Sequence, residues 1–110
     1  MIFTILLHPR VASQLEKMDT DLRNRLKSAL KELQESPESR GERLHPSDYW
    51  KMRIGDYRAI YQIEASSKSV IIILVDHRSK VYDDFERMLL ISWIEHQQKQ
   101  STLFKSSLAE

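Results

Sequence analysis

The stretch YWKMRIGDYRAIY, residues 49–61, alternates apolar and polar side chains on either side of Gly55-Asp56. Two alternating runs separated by a Gly-X pair predict a β-hairpin with a type II′ turn, its strands spanning 49–54 and 57–64. Counted outward from the turn, Ile54 faces Tyr57, Arg53 faces Arg58 and Lys51 faces Ile60. Alternation then gives Lys51, Arg53 and Arg58 to one face, and Trp50, Met52, Ile54, Tyr57, Ala59 and Tyr61 to the other. Like charges set opposite each other in a ladder cost from some tenths of a kcal/mol to about 1. A local rule broken in this way is expected at functional sites. The plainer reading is a solvated face, since edge strands use Lys and Arg to discourage aggregation. On that reading, Asp56 and Asp76 stand close enough to pair with Arg53 or Arg58.

The segments around the hairpin supply its support. Residues 2–8 form a continuous apolar run that predicts a buried strand, ended by Pro9. Val11, Leu15 and Met18 recur at helical spacing. After Asp19-Thr20-Asp21, which offers capping oxygens, Leu22, Leu26, Ala29, Leu30 and Leu33 form one stripe of a second helix. Residues 35–48, ESPESRGERLHPSD, read as a polar loop. The turn ASSK leads into SVIIILVD, 69–76, a β-branched run that predicts a central strand. Running antiparallel to 57–64, this strand returns to the Gly55-Asp56 end and delivers His77, Arg78, Lys80 and Tyr82 there. The order is β-α-α-β-β-β: an α+β domain with an antiparallel-rich sheet packed on a helical hairpin. Beyond it the pattern turns helical again, with Phe85, Met88, Leu89, Ser92 and Trp93 on one face. Leu90, Ile91 and Ile94 spread the apolar surface around the helix, which therefore covers the sheet or pairs with another copy of the chain. The division is a domain over 1–84 and an extended C-terminal helix with a polar tail over 85–110.

Composition narrows the chemistry. The chain has 110 residues, a net charge of +1 and no cysteine, which excludes a disulfide scaffold, a thiolate metal site and a Cys nucleophile. Any attraction for a polyanion must come from local clustering of cations. His8, His45 and His96 lie on separate elements without ligand spacing, so no metal site and no cofactor is expected. No apolar run is long enough to span a bilayer, and a cytoplasmic protein is the expectation.

The blocks WKMRIGDYRAIYQI and VIIILVDHRSKVY resemble the RelE/ParE toxin superfamily of type II toxin–antitoxin systems, and within it the RelE-type mRNA interferases. The resemblance covers residues 1 to about 85. It implies a ribosome-dependent endoribonuclease that cuts translated mRNA in the ribosomal A site, with no metal or cofactor, by attack of a ribose 2′-OH on its own 3′-phosphate. The family's basic pair falls on Lys51 and Arg53, with Lys51 as base or charge stabiliser. Its two phosphate-neutralising arginines fall on Arg58 and Arg78, and its base-stacking tyrosine on Tyr82. His77 is a candidate acid, although relatives that use a histidine carry it beside the tyrosine, where this chain has Val81. The implied partners are a RelB-like antitoxin, the ribosome and mRNA, with a homodimer through the C-terminal helix as an extra expectation. Two other readings share the fold: a ParE-like inhibitor of DNA gyrase, and a catalytically degenerate member that only binds its antitoxin.

Overall fold

The computed structural model describes residues 2–44, 48–91 and 94. Strand β1 (Thr4–Leu7) leads into helix α1 (Pro9–Lys17), where Pro9 occupies the first turn and His8 Nδ1 accepts the Arg10 N–H at 3.1 Å. Helix α2 (Thr20–Lys31) starts at Asp19, whose carboxylate accepts the Leu22 N–H at 3.3 Å. A short 3-10 turn, Glu32–Gln34, closes the helical hairpin. Then come β2 (Glu42–Leu44), β3 (Tyr49–Ile54), β4 (Tyr57–Glu64) and β5 (Ser69–His77), and a third helix, α3, over 81–91.

The five strands form one sheet in the order β1-β5-β4-β3-β2, with β1 parallel to β5 and the remaining pairs antiparallel. The hairpin register is the one counted from the turn: Ile54 opposite Tyr57, Arg53 opposite Arg58, Lys51 opposite Ile60. Gly55 has φ +58° and Asp56 does not share that sign, as a type II′ turn requires. Two expectations are corrected: the first strand is not buried but lies at the sheet edge, paired only with β5 and with Leu6 and Leu7 exposed, and residues 42–44 are not loop but an edge strand on β3. Three residues hold too little alternation to register as a strand in sequence.

Two cores lie on opposite faces of the sheet. Val11, Leu15, Leu26, Leu30 and Leu33 of the helical hairpin pack on Met52, Ile54, Ala59, Tyr61, Val70, Ile72 and Val75. On the other face, Val81 and Phe85 of α3 pack on Ile60, Ile73 and Leu74, with Phe85 edge-on to Tyr49 at 5.0 Å. Ile73 and Leu74 share a face because β5 carries a bulge: Ile60 pairs with Leu74 and Tyr61 with Ile72, leaving Ile73 extra. That one residue reverses the facing of everything after it. Asp76 therefore points to the α3 side, and His77 to the helical-hairpin side beside Tyr57.

Helix α3 covers only part of its face, since Leu90, Ile91 and Ile94 remain exposed. Residues 92–93 of the predicted C-terminal helix and everything from 95 on, the polar tail included, lie outside the described residues. No helix among the described residues is long and apolar enough to cross a membrane.

Asp76 meets Asp84 of α3, and its carboxyl is held above its ordinary value of 3.8 by burial first and by the hydrogen bond to Asp84 second. Lys80 and the His77 N–H offset part of this. A carboxyl that holds its proton more tightly when folded contributes full stability only below its ordinary value, and that contribution is lost as pH rises through the raised one. At neutral pH the pair therefore opposes the docking of α3. Asp76→Asn should raise the melting temperature at pH 7, and the gain should shrink as pH falls below 4 by calorimetry.

Candidate active site

The hairpin sets its three cations on the face that α3 leaves partly open. There Lys51, Arg53, Arg58, Arg78 and Tyr82 line one open cleft of about 620 Å³. A wall of chain from Ser39 to Glu42 closes its side. A smaller hollow of about 430 Å³ at the far end of the ribbon differs in charge: Arg43 is matched by Asp48 at 3.2 Å, and Glu38 and Glu64 also line it.

Each cation is held differently. Arg58 donates through Nη1 to the carbonyls of Gly55 and Tyr57 at 2.9 and 2.8 Å. Both bonds turn the guanidinium toward the turn, while the residue's backbone stands directly opposite that of Arg53. Arg53 is exposed and has no ion pair among the described residues. Arg78 is fastened to the same turn, its N–H on the Asp56 carbonyl at 2.7 Å and its Nε 3.7 Å from the Asp56 carboxylate. Asp56 thus pairs with Arg78, and Asp76 turns to Asp84, so neither neutralises Arg53 or Arg58 in the way the solvated-face reading anticipated.

Lys51 sits between two partners. Its Nζ donates to the Tyr82 hydroxyl at 3.3 Å, lies 5.7 Å from that ring's centre, and pairs with the Glu42 carboxylate at 3.6 Å. Tyr82 stands in the first turn of α3 and is exposed. Glu42 was not a sequence candidate. It faces Lys51 because β2 pairs with β3 in that register, and the strand that sets this register was itself invisible.

His77 is not brought into the cleft. Its ring lies edge-on to Tyr57 at 5.6 Å, on the helical-hairpin side, and Nδ1 accepts the Ser79 N–H at 3.2 Å. Simple alternation from Ile72 would have put it among the cations, and the bulge at Ile73 is why it is not. Trp50, Tyr57 and Tyr61 face the helical hairpin as read from alternation, Trp50 stacked on Tyr61 at 6.5 Å. Among the described residues no group of His, Asp or Glu is arranged to hold a metal ion.

A cleft holding five cations (Arg40 of the wall, itself paired with Glu32 at 3.8 Å, with Lys51, Arg53, Arg58 and Arg78), one carboxylate and an exposed aromatic ring can grip a phosphate, move a proton and stack a base. A model of the ParE toxin of type II toxin–antitoxin systems matches residues 5–82. Among solved structures, the chain is similar to the RelBE2 toxin–antitoxin complex of Mycobacterium tuberculosis, with 22% identity, a TM-score of 0.64, and 70% of this chain and 99% of that chain covered. It is also similar to the isolated E. coli RelE toxin, with 28% identity, a TM-score of 0.58, and 79% and 98% covered. The intact E. coli RelBE toxin–antitoxin complex gives 26% identity, a TM-score of 0.59, and 68% and 95% covered. No curated protein sequence matches the chain.

Proposed function

The chain belongs to the ParE toxin family of type II toxin–antitoxin systems, and on that premise we propose that it is a ribosome-dependent endoribonuclease that cuts mRNA during translation. The observation that carries this reading is the contact of Lys51 with both Tyr82 and Glu42 in a cleft also lined by Arg58 and Arg78. In the reaction, a ribose 2′-oxygen attacks the adjacent 3′-phosphorus, its proton passing to the Glu42 carboxylate. Arg58 and Arg78 hold the phosphorane oxygens, and Arg53 adds to the field at the rim. The bond from phosphorus to the 5′-oxygen breaks, and Lys51 protonates that leaving oxygen. The products are a 2′,3′-cyclic phosphate and a 5′-hydroxyl. Tyr82 stacks on the base and fixes the sugar for in-line attack. Tyr82 also orients Lys51 through its hydroxyl. His77 has no part in this scheme. The protein partner is an antitoxin of the RelB kind, as in the solved complexes.

The matching family model is that of a ParE toxin, which keeps a second reading in view, inhibition of DNA gyrase. One induction experiment separates the two. Primer extension on a translated message should show cuts within codons, reduced on the order of 100-fold by Arg78→Ala. Tyr82→Phe keeps the ring but loses the lysine contact, and should fall between that variant and wild type. Intact message together with blocked supercoiling would favour the gyrase reading instead. Neither effect would leave a family member that only binds its antitoxin.

A further inference from the structure

The wall of the cleft is not built like its floor. Lys51, Arg53 and Arg58 stand on paired strands, whereas the wall arrives from the helical side and lines the cleft over residues 39–41 before it joins the sheet, at Glu42, where β2 begins on the edge of β3. Its attachment is a residue that points away from the cleft. Tyr61 is fully buried in the helical-hairpin core, and its hydroxyl donates to the Pro37 carbonyl at 2.6 Å, 24 residues earlier in the chain. The same hydroxyl lies against Gly41, where an added Cβ would collide with Tyr61 Oη and stand 2.6 Å from the Lys51 carbonyl. One phenol therefore touches both ends of segment 37–41, and Glu42 is the next residue. Burial pushes the phenol up to about 12, so it remains a donor at any physiological pH.

We propose that Tyr61 is a positioning residue for the reaction: acting through Pro37 and Gly41, it fixes the cleft wall so that Glu42 stands beside Lys51. Its importance for catalysis rests on the function proposed above, while its hold on the wall does not. A proton acceptor displaced by about 1 Å costs on the order of 100-fold in rate. A strap of this kind therefore acts on turnover and leaves substrate capture by the arginines alone.

Tyr61→Phe keeps the ring and its stacking on Trp50 and removes only the donor. The expected result is a kcat at least tenfold lower, a KM within about twofold of wild type, and no further loss when the change is added to Glu42→Gln. In the free protein, amide hydrogen exchange over residues 38–44 should quicken by about tenfold while β4 and β5 keep their protection. Unchanged exchange over 38–44 would overturn the proposal. So would a loss as large in the Glu42→Gln background as in wild type, because Tyr61 would then be acting on general stability. If wild-type protein cuts no RNA, the proposed function fails by itself, and the exchange result alone decides what Tyr61 holds.

Discussion

Arg58→Ala should abolish most cleavage while leaving the fold as stable as before or slightly more so. The loss expected for one donor to a developing phosphorane is about 100- to 1000-fold in kcat. The effect on stability runs the other way. Arg58 stands opposite Arg53 in the ladder, an arrangement that costs up to about 1 kcal/mol, and the alanine removes it. The carbonyls of Gly55 and Tyr57 lose a donor; the first is exposed at the turn, where water can replace it, and the second is half-buried at the start of β4, which sets the limit on the gain. Arg58→Lys should recover only part of the activity, since an ammonium cannot present two parallel N–H groups to a phosphate. Single-turnover cleavage beside a chemical denaturation curve checks both halves. A variant that loses stability and activity together would mean that Arg58 serves the hairpin and not the phosphate.

The largest structural effect should come from Gly41→Ala. The chain has two glycines, and they do different work. Gly55 supplies a positive φ at the turn, whereas Gly41 supplies empty space against Tyr61 and the Lys51 carbonyl. An added methyl there meets a buried hydroxyl already engaged with Pro37 and a backbone atom of a paired strand, so the wall has to move. Overpacking of this kind costs about 1–3 kcal/mol. Losing the Tyr61–Pro37 bond would add about 1 kcal/mol more. In a domain of this size each kcal/mol lowers the melting temperature by roughly 4–8 °C. The expected result is a melting point lower by about 10–30 °C, with cleavage reduced further than the unfolded fraction explains. Wild-type stability in Gly41→Ala would show that segment 37–42 has room to shift without strain.

Much of this geometry was legible because the hairpin writes its own register. A two-residue turn with one glycine leaves a single way to pair 49–54 with 57–64, and each facing from Lys51 to Tyr61 follows by counting. The long β-branched run 69–76 announced a central strand for the same reason. What stayed hidden depended on features without a period. Strand β2 is three residues long, so neither its pairing nor the arrival of Glu42 opposite Lys51 could be read. The bulge at Ile73 sits inside an unbroken apolar run, where an extra residue leaves no mark on the pattern. It sends His77 to the far face and Asp76 toward Asp84. Tyr61 read correctly as a core residue, but its hydroxyl's reach to Pro37 is a contact between distant segments that no local pattern records.

The central claim is that this cleft cuts RNA by 2′-oxygen attack, and the chemistry of the cut end tests it most directly. Purified protein would be added to ribosomes stalled with a defined codon in the A site, and the new mRNA termini identified. The account predicts a 2′,3′-cyclic phosphate and a 5′-hydroxyl, formed only when ribosomes are present and lost in Arg58→Ala. A 3′-hydroxyl with a 5′-phosphate, or equal cutting by the Arg58→Ala protein, would contradict it.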